Sequence, residues 1–460
     1  FKKQLMEKAT SINPATEEQI ASYERITPEI AKEKVAKANE TYQSWKKTTF
    51  AERSKLMNRL ADIFEENKEK YAQLATQEMG KILKQSRSEI EKCAKICRYY
   101  ADNIEELLTD KIIKTEAKKS YITYQPLGVI LAVMPWNFPF YQVIRFAAPA
   151  VMTGNTGVLK HASNVQGCAF ALEEAFTKAG FPEGVFTNLN INSDAIKAII
   201  EDKNIIGVTL TGSEPAGRSV AKIAGENLKK TVLELGGSDA YIILEDADLE
   251  KVTDVATYGR LQNNGQTCIA AKRFIVLEEI YDDFLKMFTQ KMAAAKMGEP
   301  TNDDTYYGPM ARVDLRDELH NQVEKTVKQG GKLILGGKIP NKKGAYYPAT
   351  ILADLKPGMT AFDEELFGPV ASVIKAKDEN EVIELANNSA FGLGSGVLTG
   401  NSERGEKIAL QLEAGNSFVN KLVASDPRLP FGGIKNSGYG RELSDFGVKE
   451  FVNTKTIWVD

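Results

Sequence analysis

Cys268 closes the run Asn263-Asn264-Gly265-Gln266-Thr267-Cys268, and Glu234 stands upstream in Leu233-Glu234-Leu235-Gly236-Gly237. A cysteine thiolate can attack a carbonyl carbon, and a carboxylate can activate the water that later frees the product. The chain has only two histidines, His161 and His320, so a cysteine–histidine or serine–histidine mechanism has few possible members and a base other than histidine is expected. Taken alone, Cys268 would be read as a small buried hydrophobe and Glu234 as a solvated charge or a cap. The place of Glu234, between two leucines and before two glycines, points to a strand end opening into a cleft.

The elements that position these groups read as α/β. At 460 residues the chain exceeds one compact core, so two large domains are expected. Residues 28–110 carry apolar positions three and four apart, a helical stretch, with Thr27-Pro28-Glu29 as cap and first turn. Short apolar runs follow at 128–134, 156–160 and 205–210, each leading through a polar or glycine-containing turn into a helical pattern. Such alternation indicates a parallel sheet covered on both faces. The third run enters Thr211-Gly212-Ser213 and then a helix, a place where a helix N-terminus can receive a cofactor phosphate, although the G-x-G-x-x-G fingerprint is absent. A second α/β region follows, with strands at 273–277, 370–374, 394–398 and 417–420 and helices at 280–297, 312–329 and 402–413. Residues 120–125 and 452–458 alternate β-formers with polar residues. They read as two antiparallel strands outside the main sheets, with edges that a second subunit can cover.

Composition excludes several classes. A net charge of −3 gives no attraction to nucleic acid or to an anionic membrane surface. No apolar run approaches the ~20 residues of a membrane helix. The residues before about Ser11 lack the apolar stretch of a signal peptide, start without Met, and are set aside as truncated or appended. Four cysteines without zinc-knuckle spacing predict free thiols in a reducing cytoplasm. Cys93 and Cys97 share one helical face but lack a third ligand, so core packing is expected there and no metal site is predicted.

Seven separated motifs, in order, carry a family resemblance. They are Met134-Pro135-Trp136-Asn137-Phe138-Pro139, Leu159-Lys160, Thr211-Gly212-Ser213, Leu233-Glu234-Leu235-Gly236-Gly237, Asn264-Gly265-Gln266-Thr267-Cys268, Glu364-Glu365-Leu366-Phe367-Gly368-Pro369 and Pro430-Phe431-Gly432-Gly433-Ile434-Lys435. From about Ser11 to Asp460 the chain resembles the aldehyde dehydrogenase superfamily. Through Phe431–Leu443 and Leu233–Asp239 it is most similar to the bacterial succinate-semialdehyde dehydrogenases within it.

The resemblance implies two parallel-sheet α/β domains and a small β arm: a Rossmann-like NAD(P)-binding domain from 1–111 and 127–236, a catalytic domain from 237–440, and an oligomerisation arm from 112–126 and 441–460. It implies that Cys268 attacks an aldehyde, that hydride passes to NAD or NADP, and that Glu234 activates the water that hydrolyses the thioester. Asn137 and the Cys268 backbone N–H would donate to the oxyanion. Lys160 would reach the adenosine ribose, Gly212 and Ser213 the pyrophosphate, and Glu365 the nicotinamide ribose. Phe367, Met134, Pro135, Trp136, Leu235 and Gly236 would line the same cleft. Ser163 stands where NAD-preferring members commonly carry a glutamate that repels a 2′-phosphate, so NADP is open to this chain. His161 nearby could add a positive charge or be a neutral packing residue.

For the substrate, the resemblance places Arg145 on the distal carboxylate of a short semialdehyde, where a guanidinium binds bidentately, with Ser425 assisting. Gln262 stands where well-known members carry a second arginine, which weakens that clamp. Ala270 replaces the second thiol of some relatives, so no disulfide switch is expected. A homodimer or homotetramer is implied.

Rival readings are a broad aliphatic or aromatic aldehyde dehydrogenase, with Arg145 serving structure as an ion pair, and a non-enzymatic binding or structural protein on the same fold. Acylation of coenzyme A has no need of Glu234. A cysteine hydrolase lacks a recognisable histidine motif.

Overall fold

The computed structural model describes residues 7–460; Phe1–Met6, part of the segment set aside above, lie outside the described residues. The Thr27 hydroxyl accepts the Ile30 N–H at 3.3 Å, and Pro28 opens the first helix, Pro28–Trp45, where the cap signal places it. Helices Phe50–Glu66, Lys68–Met79 and Leu83–Leu107 complete the helical stretch. Their apolar faces, with Cys93 and Cys97 fully buried among them, share one core with the first large sheet.

That sheet has six strands in the order Gly438–Tyr439, Lys230–Glu234, Ile205–Thr211, Val129–Met134, Thr156–His161, Phe186–Asn188. All pairs are parallel except Gly438–Tyr439 against Lys230–Glu234. The chain starts at Val129–Met134, steps outward through Thr156–His161 and Phe186–Asn188, then returns to the other side through Ile205–Thr211. The strand order therefore reverses beside Val129–Met134. Loops leaving the carboxyl ends diverge at such a point and open a crevice for a ligand.

The second sheet has seven strands, ordered Lys332–Leu335, Thr350–Ala353, Val370–Ala376, Arg273–Leu277, Ala240–Ile243, Gly394–Leu398, Asn416–Val419. Only the Lys332–Leu335 edge is antiparallel. Its central strands Ala240–Ile243 and Arg273–Leu277 are buried along their whole length because helices cover both faces. Phe186–Asn188, Ala240–Ile243, Lys332–Leu335 and Thr350–Ala353 escaped the sequence reading; runs of three or four residues carry too little periodicity. The hairpin Lys8–Ile12 with Gln19–Glu24 also escaped that reading. Gly438–Tyr439, expected with the second region, instead closes the edge of the first sheet.

Apart from both sheets, Lys119–Pro126 pairs antiparallel with Val452–Val459 along its whole length, and a third short strand, Lys111–Ile112, joins it. Ile112 and Trp458 are exposed there. Among the described residues no helix is long and apolar enough to cross a membrane.

Candidate active site

The loop between helix Leu249–Leu261 and strand Arg273–Leu277 presents Cys268. Asn263, Asn264 and Gly265 are left-handed in succession, with φ of 51°, 58° and 77°. Asparagine tolerates that region because its short amide can bond locally. Asn264 Nδ2 donates to the carbonyls of Gly80 and Pro309 at 2.9 and 2.7 Å, and its Oδ1 accepts the Gly308 N–H at 2.6 Å. Asn263 Nδ2 donates to the Asn137 and Gln266 carbonyls at 2.8 and 3.0 Å. A Cβ on Gly265 would lie 2.3 Å from the Gly368 backbone, so the Glu364–Pro369 loop can approach only glycine. Most of the cysteine motif is thus scaffold. Lys272, which sequence reading missed, finishes it: buried Nζ donates to the Thr267 and Cys268 carbonyls at 3.0 and 2.7 Å.

Cys268 lies between two cavities. The first, about 190 Å³, is lined by Cys268, Tyr141, Arg145, Gln262, Ser425 and Lys92 among others. Arg145 sits on the wholly buried helix Tyr141–Met152, itself only 3% exposed. Its Nε pairs with Glu442, while Nη2 has no hydrogen-bond partner among the described residues. The structural ion pair and the place on the cavity wall, alternatives in sequence, coexist. Ser425 Oγ accepts from Lys92 Nζ at 2.6 Å and lies 2.7 Å from the Tyr141 hydroxyl. Lys92 is 333 residues from Ser425 in sequence, so no local signal linked them.

The second cavity, about 250 Å³, opens beyond the carboxyl ends of Val129–Met134, Ile205–Thr211 and Lys230–Glu234, at the reversal of strand order. Pro135, Trp136, Asn137, Gly212, Ser213, Leu235, Gly236, Glu365, Phe367 and Cys268 all line it. The rings of Trp136 and Phe367 meet edge to face at 5.8 Å. Glu365 Oε1 accepts from Gly237 N–H at 3.1 Å and pairs with Lys272 at 3.0 Å. A Cβ on Gly236 would fall 2.2 Å from Glu365 Oε2, so glycine is needed for this approach. Ser213 caps helix Glu214–Glu226 with its side chain unspent on the helix. A glycine turn into a helix N-terminus, aromatic walls and a carboxylate fit a nicotinamide dinucleotide.

Three expected cofactor residues lie off this wall. Met134 is buried in the core as the last residue of its strand. Lys160, mostly buried, donates to Ser193 Oγ at 3.3 Å, and burial, then Arg25, pushes its ammonium down to about 8. Ser163 Oγ accepts from Arg25 Nη2 at 3.3 Å, so an arginine missed by sequence stands beside it. His161 is buried and held down at about 4 by desolvation, hence neutral. Its Nε2 donates to the Pro139 carbonyl at 2.8 Å and its Nδ1 accepts the Ala162 N–H at 3.0 Å. Packing, not charge, is its part.

Burial holds the Cys268 thiol up at about 12, against the pull of Arg145 and then Lys272. Burial also raises the Glu234 carboxyl well above the usual range, and the Glu442 charge adds to this. Glu234 ends its strand as expected. However, it is 2% exposed, lines neither cavity, and makes no hydrogen bond to Cys268. The cleft opens beside the strand end, at Leu235 and Gly236, rather than at the carboxylate. Asn137 Nδ2 donates to Gln266 at 3.1 Å, which uses one of its two N–H bonds and leaves one for a ligand. The Cys268 N–H makes no hydrogen bond among the described residues.

Fold and site define the class of nucleotide-linked α/β oxidoreductases with a cysteine at the junction of two cavities. The chain belongs to the aldehyde dehydrogenase family, whose profile matches residues 1–457. It is 48% identical over 449 residues to a probable succinate-semialdehyde dehydrogenase [NADP(+)] of Synechocystis, covering 98% of this chain and 99% of that one. It is 47% identical over 452 residues to succinate-semialdehyde dehydrogenase [NADP(+)] 1 of Mycobacterium tuberculosis, covering 98% and 99%. Among solved structures, succinic semialdehyde dehydrogenase from Streptococcus pyogenes in complex with NADP+ superposes with a TM-score of 0.96 at 40% identity, covering 98% of this chain and 99% of that one.

Proposed function

We propose that the protein oxidises succinic semialdehyde, or a similar short semialdehyde, to the carboxylic acid with NADP as the preferred cofactor. The observation that carries this is the placement of Cys268 between a nucleotide-fitting crevice and a small cavity walled by Arg145 and Ser425. The names of the relatives support the same substrate.

Cys268 Sγ, as thiolate, adds to the aldehyde carbon and forms a thiohemiacetal. The free Asn137 N–H and the Cys268 backbone N–H receive the oxyanion, each such donor typically worth ~10²–10³-fold in rate. A nicotinamide held in the second cavity would supply the hydride acceptor, and Cys268 would then carry the acyl group as a thioester. Glu234 then takes a proton from water, whose oxygen attacks the thioester carbon; the acid departs and the thiol is restored. Rotation of the Glu234 side chain toward Cys268 is part of this reading, since its carboxylate stands off the cavity wall. Glu365, Ser213, Gly212 and Gly236 would hold the nicotinamide and pyrophosphate part of the cofactor, with Trp136 and Phe367 as the aromatic wall of the crevice. Lys160 and Ser163 serve the adenosine ribose, and the Arg25 guanidinium beside Ser163 supplies positive charge for a 2′-phosphate.

The domain division belongs to the same reading: 1–111 with 127–236 for the cofactor, 237–440 for catalysis apart from the strand Gly438–Tyr439 that pairs with the cofactor sheet, and 112–126 with 441–460 as an arm. The uncovered edge of Val452–Val459 supports assembly as a homodimer or homotetramer. Four free cysteines suit a cytoplasmic location.

The test is kcat/KM for succinic semialdehyde against butanal, with NADP and with NAD. A preference above about 100-fold, ~2.7 kcal/mol of transition-state discrimination, supports the semialdehyde. Near-equal values make the protein a general aldehyde dehydrogenase.

A further inference from the structure

The charges around the first cavity do not cancel. Arg145 is paired with Glu442, and Glu89, also on the wall, is paired with the fully buried Lys81. Glu89 also accepts the N–H groups of Phe140 and Tyr141, both at 2.9 Å, so its charge is fully engaged. Cys268 carries a neutral thiol at ordinary pH. The remaining cation on the wall, Lys92, forms no ion pair with a carboxylate among the described residues; its Nζ donates to Ser425 Oγ at 2.6 Å and lies 4.2 Å above the Tyr141 ring. The cavity that holds the nucleophile therefore carries one uncompensated positive charge.

We propose that Lys92 is the specificity-determining cation for the distal carboxylate of the substrate, acting with Ser425. An ammonium has three donors, and only one is spent on Ser425. The Ser425 hydroxyl, accepting from Lys92, can turn its own hydrogen to the carboxylate. Arg145 contributes its unpartnered Nη2, but its net charge is already balanced by Glu442. Tyr141 holds Lys92 from below, so the ammonium is fixed rather than swinging in solvent. A neutral aldehyde of the same length gains nothing from this arrangement and leaves the charge unsatisfied.

The pH dependence follows from the same surroundings. Lys92 is pushed down to about 8 by burial, then by the Arg145 charge, while Cys93, Glu89 and Asp426 act weakly the other way. The ammonium is present below that pH and lost above it, so selectivity for a carboxylate falls as pH rises through about 8. Cys268 titration affects both aldehydes alike and cancels in their ratio.

This inference rests on the semialdehyde reading above. The experiment measures kcat/KM for succinic semialdehyde and butanal across pH 6–10 in the wild type, Lys92→Met and Lys92→Arg. Lys92→Met lowers the ratio of the two by about 10- to 100-fold, the range of one charge-assisted hydrogen bond, mainly through KM, and removes the fall in ratio near pH 8. Lys92→Arg restores part of the ratio and moves its fall to higher pH. An unchanged ratio in Lys92→Met, in a wild type that prefers the semialdehyde, overturns the role of Lys92 and leaves the substrate standing. Equal loss on both aldehydes makes Lys92 structural and overturns it too. A wild type with no preference removes the substrate reading itself and this inference with it.

Discussion

Lys272 and Glu365 form an ion pair, Nζ to Oε1 at 3.0 Å, that joins the cysteine loop to the wall of the cofactor cavity. The same Nζ holds the carbonyls of Thr267 and Cys268. One buried lysine thus fixes both the nucleophile's backbone and a carboxylate facing the cofactor. Its removal leaves Glu365 without its cation and two carbonyls without a donor.

Lys272→Ala is therefore expected to destabilise the protein by about 3–5 kcal/mol, the usual effect of deleting one member of a buried pair. Thermal and urea unfolding measure it. A variant as stable as the wild type would show that the pair is solvent-screened and energetically minor.

Glu234→Gln cannot accept a proton from water but keeps the shape of the side chain. We expect one equivalent of reduced cofactor per active subunit in a rapid burst, followed by arrest with the thioester on Cys268. Mass spectrometry of the quenched protein would find the acyl adduct. Absence of both burst and turnover would mean that Glu234 acts before hydride transfer. Turnover at the wild-type rate would remove its role altogether.

The raised Cys268 thiol sets a pH profile. Because thiolate is the reactive form and the thiol is held at about 12, its fraction grows tenfold per pH unit below that value. Iodoacetamide alkylation of Cys268 in the cofactor-free protein should rise with a slope near one in log rate from about pH 6 to pH 9. A plateau already at neutral pH would place the thiol far lower than burial dictates.

Arg25→Ala removes the guanidinium beside Ser163 while leaving the serine. The loss of a charged hydrogen-bond donor is worth about 10- to 100-fold, so kcat/KM for NADP should fall by that factor, with NAD changed about twofold or less. Equal losses with both cofactors would assign Arg25 to the packing of the Ile191 loop, whose carbonyl its Nη1 also holds at 2.9 Å.

Much of this protein is determined locally by its sequence. The run Val129–Met134 is apolar throughout and ends at a proline, so it makes a central strand wherever it is placed. The cysteine motif and the strand-ending glutamate are equally legible, because left-handed turns need asparagine or glycine and catalysis needs particular functional groups. What the tertiary structure decided are pairings across long sequence distances, which no periodicity encodes. Arg145 meets Glu442, Lys92 meets Ser425, and Arg25 meets Ser163 only once the sheets are assembled. The same holds for Glu234, whose neighbours in sequence placed it at a cleft and whose packing keeps its carboxylate off the cavity wall. Burial and charge balance are properties of the assembled surroundings, so the electrostatics of the site follow from the fold and not from the motifs.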